Sequence, residues 1–266
     1  MAEQEILFAV DDKGIALMTL NRPDTYNAIS KNMVNNFLPQ MLREVQENDA
    51  IRVLILTGAG KAFCSGADVK QRLGGTAEGK VKSTRRATEE PVGSSALYFA
   101  EIRKPVIAAI NGIAAGIGFS LTLVSDFRIA SDNARFTTAF VRRGLMPDGG
   151  MTAMLPLLVG LPKALELAMT SEIIGAEEAL RIGLVNKVVP HAELMSETQA
   201  LAERLAEAPP ISLSFTKRAM YRNVHMSIRE ASYFESWGQH VLRTTKDHKE
   251  GIKSFIEKRA PNFTGE

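Results

Sequence analysis

Lys104-Pro-Val-Ile-Ala-Ala-Ile-Asn-Gly-Ile-Ala-Ala-Gly-Ile-Gly-Phe-Ser-Leu-Thr-Leu-Val-Ser-Asp126 is the stretch on which the fold turns. Val106–Ile110 is an unbroken apolar run and reads as a buried strand. Asn111-Gly112 marks a turn. Gly116 and Gly118 leave the backbone bare, and Phe119–Val124 reads as the start of a buried helix. A strand, a glycine-rich turn and a helix N-terminus together present backbone N–H groups to whatever lies at the turn. Such a place suits an anion or a developing oxyanion.

A second segment repeats the pattern upstream. Arg52–Thr57 is a β-branched run that predicts a central strand, and Gly58-Ala59-Gly60 ends it. Phe63–Asp68 (FCSGAD) is a second small-residue turn before a short helical pattern. Glu5–Val10 and Gly14–Leu20 read as two strands joined by Asp11-Asp12-Lys13-Gly14. Ser30 is placed to cap a helix whose apolar face is Met33, Phe37, Met41, Leu42 and Val45. Phe127–Ala130 and Ala134–Thr137 predict two more strands, and Leu184–Val189 another. Helical patterns dominate from Met151. The alternation predicts an α/β core over residues 1–190 and a helical C-terminal region over 191–266. The glycine-rich segment 73–86 reads as a surface loop or a substrate-facing lid.

Composition narrows the function classes. The chain has 266 residues, 32 basic against 30 acidic, and a net charge of +2. That balance predicts no nucleic-acid partner. Its apolar runs fall far short of the roughly 20 residues that span a bilayer. The N-terminus lacks a signal-peptide pattern, and one cysteine, Cys64, fits a reducing compartment. The expectation is a cytoplasmic protein with no membrane partner. His191, His225, His240 and His248 lack ligand spacing, so neither a metal nor a separate cofactor is expected.

The familiar glycine motifs fail on inspection. Gly116-Ile-Gly118 begins a dinucleotide fingerprint, but Leu121 stands where its third glycine belongs. No Gly-Lys-Ser/Thr tripeptide occurs. Gly118-Phe-Ser120-Leu-Thr122 misses the last glycine of a serine-hydrolase elbow. No histidine lies in a motif segment beside Cys64, which reads as a buried structural thiol.

Leu56-Thr-Gly-Ala-Gly-Lys-Ala-Phe-Cys-Ser-Gly-Ala-Asp68 and Asn111-Gly-Ile-Ala-Ala-Gly-Ile-Gly118 together resemble the two signature segments of the enoyl-CoA hydratase/isomerase (crotonase) family. Asn21-Arg-Pro-Asp-Thr-Tyr-Asn-Ala28 and the C-terminal Glu257-Lys-Arg-Ala-Pro-Asn-Phe-Thr-Gly265 resemble its first and last segments. The resemblance covers essentially the whole chain. It implies a spiral of ββα units with a C-terminal helical trimerisation region, and a homotrimer or dimer of trimers. It implies an acyl-CoA thioester substrate, with CoA as part of that substrate. The oxyanion hole falls on the N–H groups of Ala67 and Ile117, and CoA contacts fall on Ser65, Gly66, Ala67, Asp68 and Lys70.

The same resemblance bears on the reaction. Family hydratases carry two glutamates that activate water. This chain has Ser120 and Phe140 at the matching positions. One carboxylate remains nearby, Asp148 in Met146-Pro-Asp-Gly-Gly150. Pro-Asp-Gly alone is a turn signature, or a helix cap before Met151. In dienoyl-CoA isomerases and the ring-epoxide isomerase of phenylacetate breakdown, which this passage most resembles, the matching aspartate moves protons. Halide displacement would require a histidine between about residues 89 and 103, and there is none. The expected chemistry is a double-bond shift by Asp148 in an acyl pocket bounded by Phe119, Ser120 and Phe140. A hydratase and a catalytically inactive CoA-thioester-binding protein are the alternatives.

Overall fold

A computed structural model of the chain describes residues 4–70 and 94–266. The predicted loop at 73–86 lies outside the described residues. Among the described residues, ten strands form two sheets. The first has six strands in the order β1-β2-β3-β5-β7-β10. These are Ile6–Val10, Ile15–Leu20, Val53–Gly58, Val106–Ile110, Phe127–Ser131 and Lys187–Val189. Only the β1–β2 hairpin is antiparallel; β2-β3-β5-β7-β10 run parallel. The second sheet has the order β4-β6-β8-β9: Ala62–Cys64, Ile113–Ala115, Arg135–Thr137 and Ile174–Gly175.

From β3 to β8, consecutive strands therefore go to different sheets. β3 and β4, β5 and β6, β7 and β8 each place one strand in the large sheet and the next in the small one. β3-β5-β7 and β4-β6-β8 then align in parallel. This is a spiral of ββ steps, with helices α2 (Ser94–Glu101) and α3 (Ile117–Leu123) following the first two steps.

The central strands read as continuous apolar runs because both faces are covered. Along β5, Val106, Ala108 and Ile110 face the inner core, while Ile107 and Ala109 face an outer one. β3 alternates likewise, with Leu54 and Leu56 inward, Val53 and Ile55 outward. The outer face is covered by Leu194 and Ala202 of the helix Leu194–Ala206. The predicted helical region beyond 191 thus begins by completing the sheet's own core.

The segment Asn21–Ala28 braces the corner between β3 and β4. Asn27 is fully buried and left-handed (φ 57°). Its Nδ2 donates to Ala59 O at 2.9 Å and Ala62 O at 2.7 Å, and its Oδ1 accepts from Arg22 N–H at 2.9 Å. Asn111, directly after β5, braces the same corner from the other strand pair, donating to Gly60 O at 2.9 Å and Ala62 O at 3.1 Å. Side-chain amides here satisfy carbonyls that the short strands leave unpaired. Ser30 caps as its pattern predicts, accepting from Met33 N–H at 3.0 Å.

Beyond Ala206 the chain forms three helices, Pro210–Asn223, Ile228–Leu242 and Lys246–Glu257. The first is tied down through Lys217 Nζ, which meets Asp126 Oδ2 at 2.8 Å and Lys104 O at 3.0 Å. Tyr221 OH donates to Asp126 Oδ1 at 3.0 Å. No helix among the described residues is long and apolar enough to cross a membrane.

Candidate active site

The two glycine turns meet. Gly66 (φ 106°) and Gly116 (φ 53°) both adopt backbone angles that side chains rarely permit. A Cβ on Gly66 would lie 3.1 Å from Ala115 O and 4.0 Å from Gly116 Cα. Behind them Gly118 rests on β4, where a Cβ would fall 2.4 Å from Cys64 O. Only bare backbone allows this approach.

The peptide N–H directions follow from the local pairing. Ala67 forms a parallel bridge with Ile29, in which Ile29 N–H donates to Gly66 O at 2.8 Å and Asp68 N–H donates to Ile29 O at 3.0 Å. Successive peptide groups of an extended chain point to opposite sides. The N–H of Ala67 itself is therefore turned away from Ile29. Ile117 is the first residue of α3, whose early N–H groups have no acceptor within the helix.

Both residues line one pocket of about 140 Å³. Ser65, Gly66, Ala67 and Val69 come from the first turn, and Gly116 and Ile117 from the second. Ala139, Phe140, Arg143, Leu145 and Asp148 come from the segment after β8. Asp148 is the one carboxylate on this lining among the described residues. Larger hollows of about 460 and 710 Å³ lie along the C-terminal helices, but they touch neither glycine turn nor Asp148.

Asp148 sits three residues before Met151, the first residue of the helix Met151–Val159, whose N-cap is Gly150 at φ 80°. The carboxylate therefore does not occupy the cap position that a Pro-Asp-Gly turn first suggests. Phe140 is buried and covers Gly116, with its Cζ 4.0 Å from where a Gly116 Cβ would stand. Ser120 is fully buried in α3, and its Oγ donates to the main-chain carbonyl of Asp148 at 2.9 Å.

The other predicted residues separate. Phe119 is turned into the core against Phe136, ring centroids 5.6 Å apart, and is not on the pocket lining. Ser120 lies beneath the lining. The Asp68 carboxylate faces Arg22, with Nη2 at 2.9 Å; Arg22 also reaches Ala28 O at 2.6 Å and Glu5 Oε1 at 3.2 Å. Lys70 is exposed, outside the pocket. Arg143, Val69 and Leu145 were not among the predicted site residues. They lie in turn-rich or exposed segments without periodicity, so no local pattern marks them.

Cys64 is buried, and desolvation pushes its thiol up to about 12. The native protein should resist iodoacetamide at pH 8 and take up one label per chain only in denaturant. Rapid labelling of the folded protein would contradict that burial.

Comparison with known proteins bears on what this pocket does. The family model for enoyl-CoA hydratase/isomerase matches residues 11–266. The chain belongs to the enoyl-CoA hydratase/isomerase family. It is 34% identical to the 1,2-epoxyphenylacetyl-CoA isomerase of Escherichia coli over 98% of this chain and 99% of that one. It is 36% identical to the crotonyl-CoA hydratase of Syntrophomonas wolfei, over 99% of each. A crystal structure of enoyl-CoA hydratase from Bacillus anthracis matches 99% of this chain and 100% of its own, at TM-score 0.89 and 34% identity. The crotonase-type spiral expected from the sequence is thus the fold. Enzymes of the family act on acyl-CoA thioesters. The relatives' names include both reactions, hydratases more often.

Proposed function

We propose that this enzyme isomerises enoyl-CoA thioesters, moving a double bond with Asp148 as its single acid–base group. The observation that carries the reading is the lining of the pocket: among the described residues it holds one carboxylate, Asp148, together with Ala67 and Ile117. The thioester oxygen accepts from the N–H groups of Ala67 and Ile117. Donors so placed are worth roughly 2.7–4 kcal/mol each as charge develops on that oxygen. Asp148 takes a proton from C2 of a 3-enoyl-CoA. The C–H electrons form the C1–C2 double bond of an enolate, and the carbonyl pair moves onto the thioester oxygen. When the carbonyl re-forms, the C1–C2 pair becomes the C2–C3 double bond and the former C3–C4 pair takes a proton at C4. A 1,3-shift needs one base, because the carboxyl group that accepts a proton from C2 can deliver one to C4, and while it is protonated it can exchange with solvent.

Two features favour isomerisation over water addition. Ser120 and Phe140 stand where the family's hydratases carry glutamates, and the buried Phe140 ring walls the pocket where a second acid would hold water. The pantetheine end runs past Ser65–Ala67, with CoA itself as the only carrier group required. The hydratase names among the relatives favour the rival reading. Incubation with 3-enoyl-CoA and, separately, 2-enoyl-CoA in ¹⁸O-labelled heavy water (D₂¹⁸O) separates the two. Isomerisation yields 2-enoyl-CoA free of ¹⁸O from the first and exchange at C4 from the second. ¹⁸O-labelled 3-hydroxyacyl-CoA as the main product would overturn the proposal.

The same reading includes a threefold assembly. Met220, Ile228, Tyr233, Phe255 and Ile256 on the C-terminal helices are each 70% exposed or more. Large apolar side chains left this exposed favour association with another surface. Light scattering that returns a monomer mass of 29.0 kDa would remove this part.

A further inference from the structure

We propose that Ser120 is a positioning residue that holds Asp148 at the pocket, an inference that rests on the reading of Asp148 as the base. A serine inside a helix ordinarily bonds back to the carbonyl four residues earlier. Here that acceptor, Gly116 O, is 3.4 Å from Ser120 Oγ, whereas the Asp148 carbonyl is 2.9 Å away. The hydroxyl thus serves the 147–150 turn in preference to its own helix. The contact joins residues 28 apart in sequence and is fully buried on the serine side.

The turn is gripped a second time one residue later. Gly149 (φ 64°) lies so close to α3 that a Cβ there would be 2.7 Å from Ile117 Cδ1, 2.9 Å from Ser120 Cβ and 3.2 Å from Ala96 Cβ. The main chain of Asp148 and Gly149 is thereby seated on the helix that also carries Ile117. One short helix sets the positions of an N–H donor and of the base together. Reacting groups must be held to within a fraction of an ångström for efficient proton transfer.

The same packing bears on specificity. A glutamate at position 120 would start from a Cβ already in contact with Gly149, so its carboxylate has room only if the 147–150 turn moves. The site is built for a base delivered from that turn and excludes one delivered from α3.

Removing the hydroxyl should leave the fold intact, because Asp148 O also accepts from Met151 N–H at 3.2 Å and is not orphaned. Ser120→Ala should lower kcat for double-bond migration about 10- to 100-fold, with KM changed less than about 3-fold. Ser120→Cys, of nearly the same size and with a weaker donor, should fall between wild type and Ser120→Ala. The deciding measurement is a cycle with Asp148→Asn, read as C2-proton exchange by NMR in deuterated water, on protein shown to bind acyl-CoA. A residue that acts only through Asp148 adds nothing once Asp148 is gone, so the double variant should match Asp148→Asn alone. Equal losses from Ser120→Ala in both backgrounds, or full activity of Ser120→Ala while Asp148→Asn is inactive, would overturn the positioning role and leave the base intact. Full activity of Asp148→Asn would instead overturn the base. Ser120→Glu should lose isomerisation without gaining water addition; a gain of hydration with isomerisation kept would also count against the proposal.

Discussion

Asp148→Asn should lower the rate of 3-enoyl-CoA to 2-enoyl-CoA conversion by about 10³-fold, the middle of the range for losing a positioned acid–base group. That factor corresponds to about 4 kcal/mol of barrier. The substitution keeps shape and leaves the main chain untouched. The hydrogen bond from Ser120 goes to the backbone carbonyl of residue 148 and survives it. KM should therefore change little, because the proposed grip on the substrate lies in the backbone of the Ser65–Ala67 and Gly116–Ile117 turns, not in the side chain of residue 148. Absorbance of the conjugated thioester follows the reaction, and loss of C2-proton exchange with solvent places the defect at the proton. A variant that keeps its rate would mean that another group is the base.

Gly118→Ala should be the most damaging single methyl in the site. Its Cβ would stand 2.4 Å from Cys64 O, 2.6 Å from Cys64 Cβ and 2.8 Å from Cys64 Sγ. A backbone carbonyl cannot turn aside as a flexible side chain can, so α3 must lift from β4. Overpacking of this kind costs about 3 kcal/mol, or a fall in Tm of roughly 6–10 °C for a chain of this size. Activity should fall further than stability, because Ile117 moves with the helix while Ala67 stays on the strand side. Gly144→Ala supplies the contrast. Gly144 has φ 66° but nothing within 4 Å of its Cβ, so only the backbone angle is strained, at about 1 kcal/mol. Urea unfolding of both variants, with activity measured well below either transition, tests the difference. Equal destabilisation of the two would contradict the packing argument.

The central strands and both glycine turns were legible because burial on two faces writes itself as an unbroken apolar run, and glycine marks where that run must bend. β6 and β9 were not legible. At three and two residues they are too short to show a period, and they exist because neighbouring strands offer them hydrogen bonds. The two phenylalanines expected at the acyl pocket illustrate the same divide. Nothing local distinguishes them, yet packing turns Phe119 onto Phe136 and leaves Phe140 beside the glycine turn. Arg22 and Asp68 are each ordinary in sequence; their ion pair, across 46 residues, ties the Ser65–Asp68 turn to the Asn21–Ala28 segment.

By itself, then, the sequence determined the spiral α/β architecture, the family, the two backbone turns and the aspartate that remains where the family's glutamates are missing. These are properties of residue type at short range: apolar runs, bare glycines, a turn before a helix. Tertiary structure alone decided that the two turns touch, that Phe140 and not Phe119 walls the pocket, and that the Ser120 hydroxyl leaves its own helix for the carbonyl of Asp148. Those are contacts between segments distant along the chain, and their outcome depends on differences of a few tenths of an ångström that no local pattern encodes.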